Sequence, residues 1–136
     1  MKNNLQSLYL TLGKNSCFFL QLVNIAEKAT GVTLDVPTAA WICSTKGYVY
    51  INWDNLNDDD NFWIKQHKEI LELLTGKKWS YVKEAANYKA KKNEYIINEW
   101  KNGNVTHFDS EDFHSLQTSN TMKVGKIVSK RVFKLL

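Results

Sequence analysis

The sequence has little of what a linker, a disulfide framework or a membrane span requires. Its 136 residues include one proline and six glycines, too few for a long low-complexity segment. The two cysteines, Cys17 and Cys43, cannot form a disulfide framework, and we expect both to be reduced thiols. No run of 18 or more apolar residues occurs, and no small-residue cleavage site follows the apolar stretch 17–25. We therefore expect a single cytoplasmic domain over residues 1–136 that does not enter a membrane.

Arginine is also nearly absent, because 17 of the 18 basic residues are lysine and only Arg131 is arginine. Arginine carries most bidentate readout of DNA bases, so this composition does not favour a nucleic-acid partner. Five basic residues and no acidic residue lie in the segment 121–136. A groove that binds single-stranded nucleic acid would need several aromatic residues in this segment, and only Phe133 is present. We interpret the segment as an edge strand protected by lysines.

Apolar residues at helical spacing dominate the first half of the chain. The stripes and their capping residues predict three helices: one from Ser16 to Ala29, ended by Gly31; one opened by Asp35 and Pro37 and ended near Gly47; and one over residues 60–75, ended by Gly76. A strand is predicted over Tyr48–Trp53, between the second helix and the third.

The second half of the chain has the pattern of strands. We expect strands over Trp79–Lys83, Glu94–Trp100, Val105–Phe108 and Met122–Leu135. With Asn102 and Gly103 as a two-residue turn, His107 would lie opposite Asn98. A second turn at Ser110 and Glu111 would place His107 opposite His114, in the middle of three strands. The expected fold class is α+β, with N-terminal helices and a central buried helix packed on a C-terminal antiparallel sheet.

Cys17 and His107 are the residues with the clearest chemical potential. Cys17 follows the predicted cap Ser16, and the positive end of a helix dipole favours the thiolate form of a cysteine. A thiolate nucleophile needs an imidazole within hydrogen-bond reach as its general base, a role that His107 could fill. Both residues also have simpler interpretations, because Cys17 could be a packed core thiol and His107 a hydrogen-bonded sheet histidine.

The order of a cysteine at a helix start followed by a histidine on a late strand resembles the papain-like cysteine peptidases. More narrowly, the chain resembles a bacterial and phage family, domain of unknown function 261. The matching stretches together span most of the chain: Asn15-Ser16-Cys17-Phe18-Phe19, Ile25-Ala26-Glu27, Thr106-His107-Phe108, Ser115-Leu116 and Thr121 to Phe133. The resemblance implies a papain-like fold and a cysteine peptidase or amidase that works by acyl transfer.

Two departures from the family pattern affect the implied catalytic site. His114 stands where the pattern has an aspartate before the Ser-Leu pair, so that His114, Asn98 or Asp112 would have to orient His107. Thr11 stands where papain-like enzymes usually have the glutamine of the oxyanion hole. The alternative is therefore an inactive papain-like scaffold, encoded by a phage or plasmid, that acts as a binding protein.

The remaining candidate residues have ordinary structural interpretations. Cys17, His107 and His114 are zinc-ligand types but lack the spacing of a zinc site, so no metal or cofactor is expected. His67 is predicted to be exposed on its helix, and Cys43 to be a packed residue. The expected partner is a peptide or protein, whether substrate or ligand.

Overall fold

The computed structural model describes residues 17–52, 54, 62–110 and 125–136, and these residues form an α+β fold. Of the described helices, the first and third pack on the C-terminal sheet and the second packs against the other two. A separate two-stranded sheet is formed by strands that lie between the second and third helices in the sequence. The elements are, in chain order: α1 (Cys17–Thr30), α2 (Val36–Thr45), β1 (Val49–Ile51), β2 (Phe62–Ile64), α3 (His67–Thr75), β3 (Trp79–Glu84), β4 (Glu94–Asn102), β5 (Val105–Ser110) and β6 (Lys126–Leu135).

Helix α1 runs through the centre of the core, as its apolar stripe predicts. Every residue from Phe18 to Ala26 is buried, including the polar Gln21 and Asn24. A helix that is buried on all sides needs apolar residues around its whole circumference, which the sequence of α1 supplies. The helix ends at Gly31, whose φ of 72° is the left-handed conformation of a helix C-terminus and whose N–H donates to Glu27.

Helix α2 forms as its capping residues predict. The Asp35 carboxylate accepts a hydrogen bond from the Thr38 N–H (3.1 Å), and Pro37 occupies the first turn. The buried side of α2 includes Cys43, which is fully buried, as predicted. Because burial disfavours the thiolate, the pKa of Cys43 is raised to about 12.

The third helix is shorter than the predicted segment 60–75. Residues Phe62–Ile64 form strand β2, which pairs antiparallel with β1, and α3 begins only at His67. The β-branched and aromatic residues of β2 outweigh the helical pattern that follows them because they find a partner strand. The helix ends at Gly76 in the left-handed conformation, as predicted.

The C-terminal sheet has the strand order β3-β6-β4-β5, with all neighbouring strands antiparallel. The prediction of an edge strand at the C-terminus is wrong, because β6 pairs with β3 on one side and with β4 on the other. Its lysines do not protect an edge: Lys130 is buried, and its ammonium donates to the Tyr88 carbonyl (2.8 Å).

The β4–β5 hairpin has a different register from the predicted one. Asn102 pairs with Val105, so that Gly103 and Asn104 form the turn instead of Asn102 and Gly103. The shift of two residues places His107 opposite Trp100, not opposite Asn98. Strand β5 pairs only with β4 among the described residues, so the predicted position of His107 in the middle of three strands is not found there.

Candidate functional site

Cys17 is the first residue of α1, as predicted, although the structure describes only its backbone. The next residue, Phe18, shows where this helix end lies. The Phe18 ring makes edge contacts with the rings of Phe108 (4.7 Å between centroids), His67 (5.2 Å) and Phe133 (6.3 Å). The start of α1 therefore lies against one face of the four-stranded sheet, which we call the inner face and define by Phe108, Ser110 and Phe133.

His107 lies on the opposite face of the sheet, which we call the outer face. Successive side chains of a strand point to opposite faces, and the pairing of β5 with β4 is regular from Val105 to Ser110. Phe108 contacts Phe18, and the Ser110 hydroxyl donates to the side-chain amide oxygen of Gln21, so both point towards α1. His107, between Thr106 and Phe108, must then point away from the helix that Cys17 begins.

Asn98 shares the outer face with His107 but lies diagonally from it. Asn98 pairs directly with Asp109, and His107 pairs with Trp100. No hydrogen bond joins Asn98 to His107. Within the described part of the chain, three buried atoms on this face have no hydrogen-bond partner: Asn98 Oδ1, Trp100 Nε1 and His107 Nε2. His114, the other candidate orienting residue, and Asp112 lie outside the described residues.

A second histidine lies close to the start of α1. His67 is half-buried, which corrects the prediction that it is exposed. Its imidazole stacks on the Tyr81 ring (4.9 Å, 17° between planes) and contacts Phe18. Burial and then the positive charge of Arg131 lower the pKa of His67, an effect that Glu69 partly offsets. The neutral imidazole is thus favoured on the inner face.

The partly buried position of His67 could have been predicted from the sequence. The spacing of His67, Ile70, Leu71 and Leu74 is that of one helix face, and Ile70 and Leu71 are fully buried. His67 therefore belongs to the apolar stripe of α3. The prediction placed it in the middle of a longer, exposed helix surface because the start of α3 was set too early.

Arg131, the only arginine, organises the charges on the inner face. Its guanidinium lies 3.2 Å from the Glu99 carboxylate and donates to the Tyr81 hydroxyl (3.0 Å). The guanidinium carbon also lies 5.7 Å from the Phe108 ring centroid and 5.9 Å from that of Phe18. Burial alone would raise the pKa of Glu99, but hydrogen bonds from Ser129 and Arg131 hold it below the usual value.

The described residues contain no group of three or more His, Cys, Asp or Glu side chains that could hold a metal ion. Among the helices that the structure describes, none has the length and apolar character needed to cross a membrane.

Comparison with known proteins adds no assignment, because the chain matches no family model, no curated protein and no solved structure. The geometry of the described residues is therefore what a functional proposal has to be based on.

Proposed function

We propose that this chain is a binding protein on a papain-like scaffold, that it acts in the cytoplasm, where the Cys43 thiol stays reduced, and that its partner is a peptide or protein. The observation that carries the proposal is the orientation of His107. A general base must come within hydrogen-bond reach of the thiol that it activates. The proposal is supported because His107 lies on the outer face, whereas the helix that Cys17 begins packs against the inner face.

The surroundings of His107 support the same view. A catalytic imidazole is usually held by a third residue, which fixes the tautomer and the ring orientation. Asn98 does not fill this role among the described residues, because its side-chain amide oxygen and the His107 Nε2 atom have no hydrogen-bond partner there. Among the described residues, Asn98 and His107 are therefore not coupled as an orienting residue and its base.

The test is the reactivity of Cys17 towards iodoacetamide near neutral pH, with the modified residue located by peptide mass. For a binding protein, we expect His107→Ala to change the rate at Cys17 by less than twofold. We also expect no Cys17-dependent hydrolysis of a fluorogenic peptide library. Cys43 is an internal control, because its buried thiol should react only when the protein unfolds. A tenfold or greater loss of Cys17 reactivity in His107→Ala would overturn the proposal.

One observation favours a second candidate, acyl transfer with His67 as the base. The residue after Cys17 contacts the His67 ring directly, and the pKa of His67 is lowered so that the neutral, proton-accepting form is favoured. In this reaction, His67 would take the thiol proton and the Cys17 sulfur would bond to the substrate carbonyl carbon. The amine would leave with that proton, and water would then release the acid from the thioester.

The same labelling experiment separates the two candidates. If His67→Ala slows alkylation of Cys17 tenfold while His107→Ala does not, the second candidate is favoured. His67→Phe is the matched control for packing, because it keeps the ring contacts with Phe18 and Tyr81 and removes only the base.

A further inference from the structure

The two-stranded sheet exposes a pair of stacked aromatic rings. Tyr50 and Trp63 are directly opposite each other in the β1–β2 pairing, and their rings stack at 4.3 Å with 22° between planes. Their neighbours Val49, Ile51 and Phe62 are buried, so one side of this small sheet belongs to the core and the other faces solvent. Tyr50 is 37% exposed and Trp63 is 45% exposed.

The pair is already ordered for binding. Tyrosine and tryptophan are enriched among the residues that dominate binding energies, because they offer large rigid surfaces at a low cost in conformational entropy. The stacking of Tyr50 on Trp63 and the pairing of their strands fix both rings before any partner arrives. The two rings are not part of the core, because the buried contacts of this sheet are made by its opposite side.

The size of the surface indicates what can bind to it. An aromatic side chain buries about 150–250 Å², so the exposed parts of the two rings provide roughly 200 Å². A stable dimer of this chain would need about 800 Å² from each copy. The surface therefore suits a short extended peptide that places one or two residues on the rings.

The chemistry of the surface narrows the choice further. The Lys65 ammonium lies over the Tyr50 ring, 5.9 Å from its centroid, and Trp63 covers one face of the same ring. Trp63 is the more exposed of the two residues, so its indole is the better platform for one flat apolar group. A nucleic-acid strand would need separate platforms for successive bases. A proline ring on the indole needs only one, and aromatic surfaces of this kind are used to dock proline-rich peptides.

We infer that Tyr50, Trp63 and Lys65 form the docking site for an extended peptide that contains a proline beside an acidic residue. The proline stacks on the Trp63 indole, and the carboxylate lies near the Lys65 ammonium. This inference rests on the proposed binding function and names the surface that performs it.

The experiment is selection of random dodecapeptides displayed on phage against the full-length protein. The recovered sequences are then synthesised with a fluorescent label for anisotropy titration. We expect proline next to aspartate or glutamate to be enriched. We also expect Trp63→Ser to weaken binding at least tenfold and Lys65→Gln to weaken it about threefold, with the second effect lost at high salt. Val82→Ser, which removes an exposed apolar residue from the other sheet, is the control that should leave binding unchanged.

The other outcomes would overturn this inference. These are recovery of no peptide, peptides without the proline–acid pair, binding that Trp63→Ser leaves intact, or tight binding of a labelled oligothymidine instead of any peptide. Peptide binding that is independent of Trp63 would remove the surface but keep the binding function. The proposed binding function itself would be contradicted by a different result, namely a rate of Cys17 alkylation that depends on a histidine in the labelling experiment.

Discussion

The ion pair of Arg131 and Glu99 provides the sharpest test of how the inner face is stabilised. Both side chains are largely buried, with 16% and 13% of their surface exposed. Replacing Arg131 with methionine removes the ion pair, the hydrogen bond to Tyr81 and the contacts with two aromatic rings. It also leaves the Glu99 carboxylate buried with the Ser129 hydroxyl (2.6 Å) as its remaining hydrogen-bond donor. We expect the free energy of unfolding to fall by about 3–5 kcal/mol, as when one partner of a buried pair is removed.

Most of this loss of stability should come from leaving the Glu99 carboxylate buried without its positive partner, rather than from losing the favourable energy of the ion pair. In the double variant Arg131→Met/Glu99→Gln, the carboxylate is gone and the glutamine oxygen still accepts from Ser129. We therefore expect the double variant to be less stable than the parent by only about 1–2 kcal/mol. Because Arg131 and Glu99 are in contact, the effects of replacing each residue alone on the free energy of unfolding should not add up to the effect of the double variant.

Urea unfolding at several pH values is the assay. In the parent protein, the lowered pKa of Glu99 contributes stability that is present above about pH 4.5, the usual value, and is lost as the pH falls through the folded-state pKa. In Arg131→Met, the Ser129 hydrogen bond remains but the lowering by Arg131 is gone, so the pKa of Glu99 is higher than in the parent and protonation restores part of the loss. The difference between the two proteins should shrink as the solution becomes acidic. A loss below 1 kcal/mol, or one that does not depend on pH, would refute this account.

Three further predictions follow from single residues. The lowered pKa of His67 means that the folded state resists protonation, so stability should fall as the pH drops below about 6.5, the unfolded-state value, and His67→Phe should flatten this part of the urea-unfolding pH profile. Cys43 should react with a thiol reagent such as dithionitrobenzoate only at the rate of unfolding, and faster reaction in native buffer would contradict its burial. Gly125→Ala should cost at least 2 kcal/mol in thermal or urea unfolding, because φ is 97° there and an added Cβ would overlap the Lys101 carbonyl oxygen. A neutral result would contradict the approach of the two segments.

The helices could be predicted well because their determinants are local. Asp35, Pro37, Gly31 and Gly76 set three of the helix ends, and each acts through its own backbone conformation or a neighbouring N–H group. The start of α3 could not be placed in the same way. Residues Phe62–Ile64 form a strand only because β1 offers them a partner.

The sheet could be predicted only in part, because strand order and register depend on contacts between distant segments. The segment 121–136 has the lysines of an edge strand, but β6 lies in the centre of the sheet between β3 and β4. The Asn102-Gly103 sequence correctly predicted a hairpin, but the predicted register was wrong by two residues. The candidate site depended most on such contacts. Which face His107 occupies is decided by the face of β5 that meets α1, and the sequence of β5 alone does not determine this.

The stability of one variant distinguishes the predicted register from the observed one. If His107 were hydrogen-bonded to Asn98, as the predicted register implies, His107→Phe would leave the buried Asn98 amide without its partner and cost about 1–3 kcal/mol. In the observed register, the His107 Nε2 atom has no hydrogen-bond partner among the residues that the structure describes. Replacing it with a carbon ring of similar shape removes an unsatisfied buried group, so the free energy of unfolding should stay unchanged or rise by up to about 1.5 kcal/mol. Phe108→Leu, on the inner face, is the matched control and should destabilise the protein, because its ring contacts Phe18. A loss of more than 1 kcal/mol in His107→Phe would restore the hydrogen-bonded histidine and, with it, the case for a catalytic role of His107.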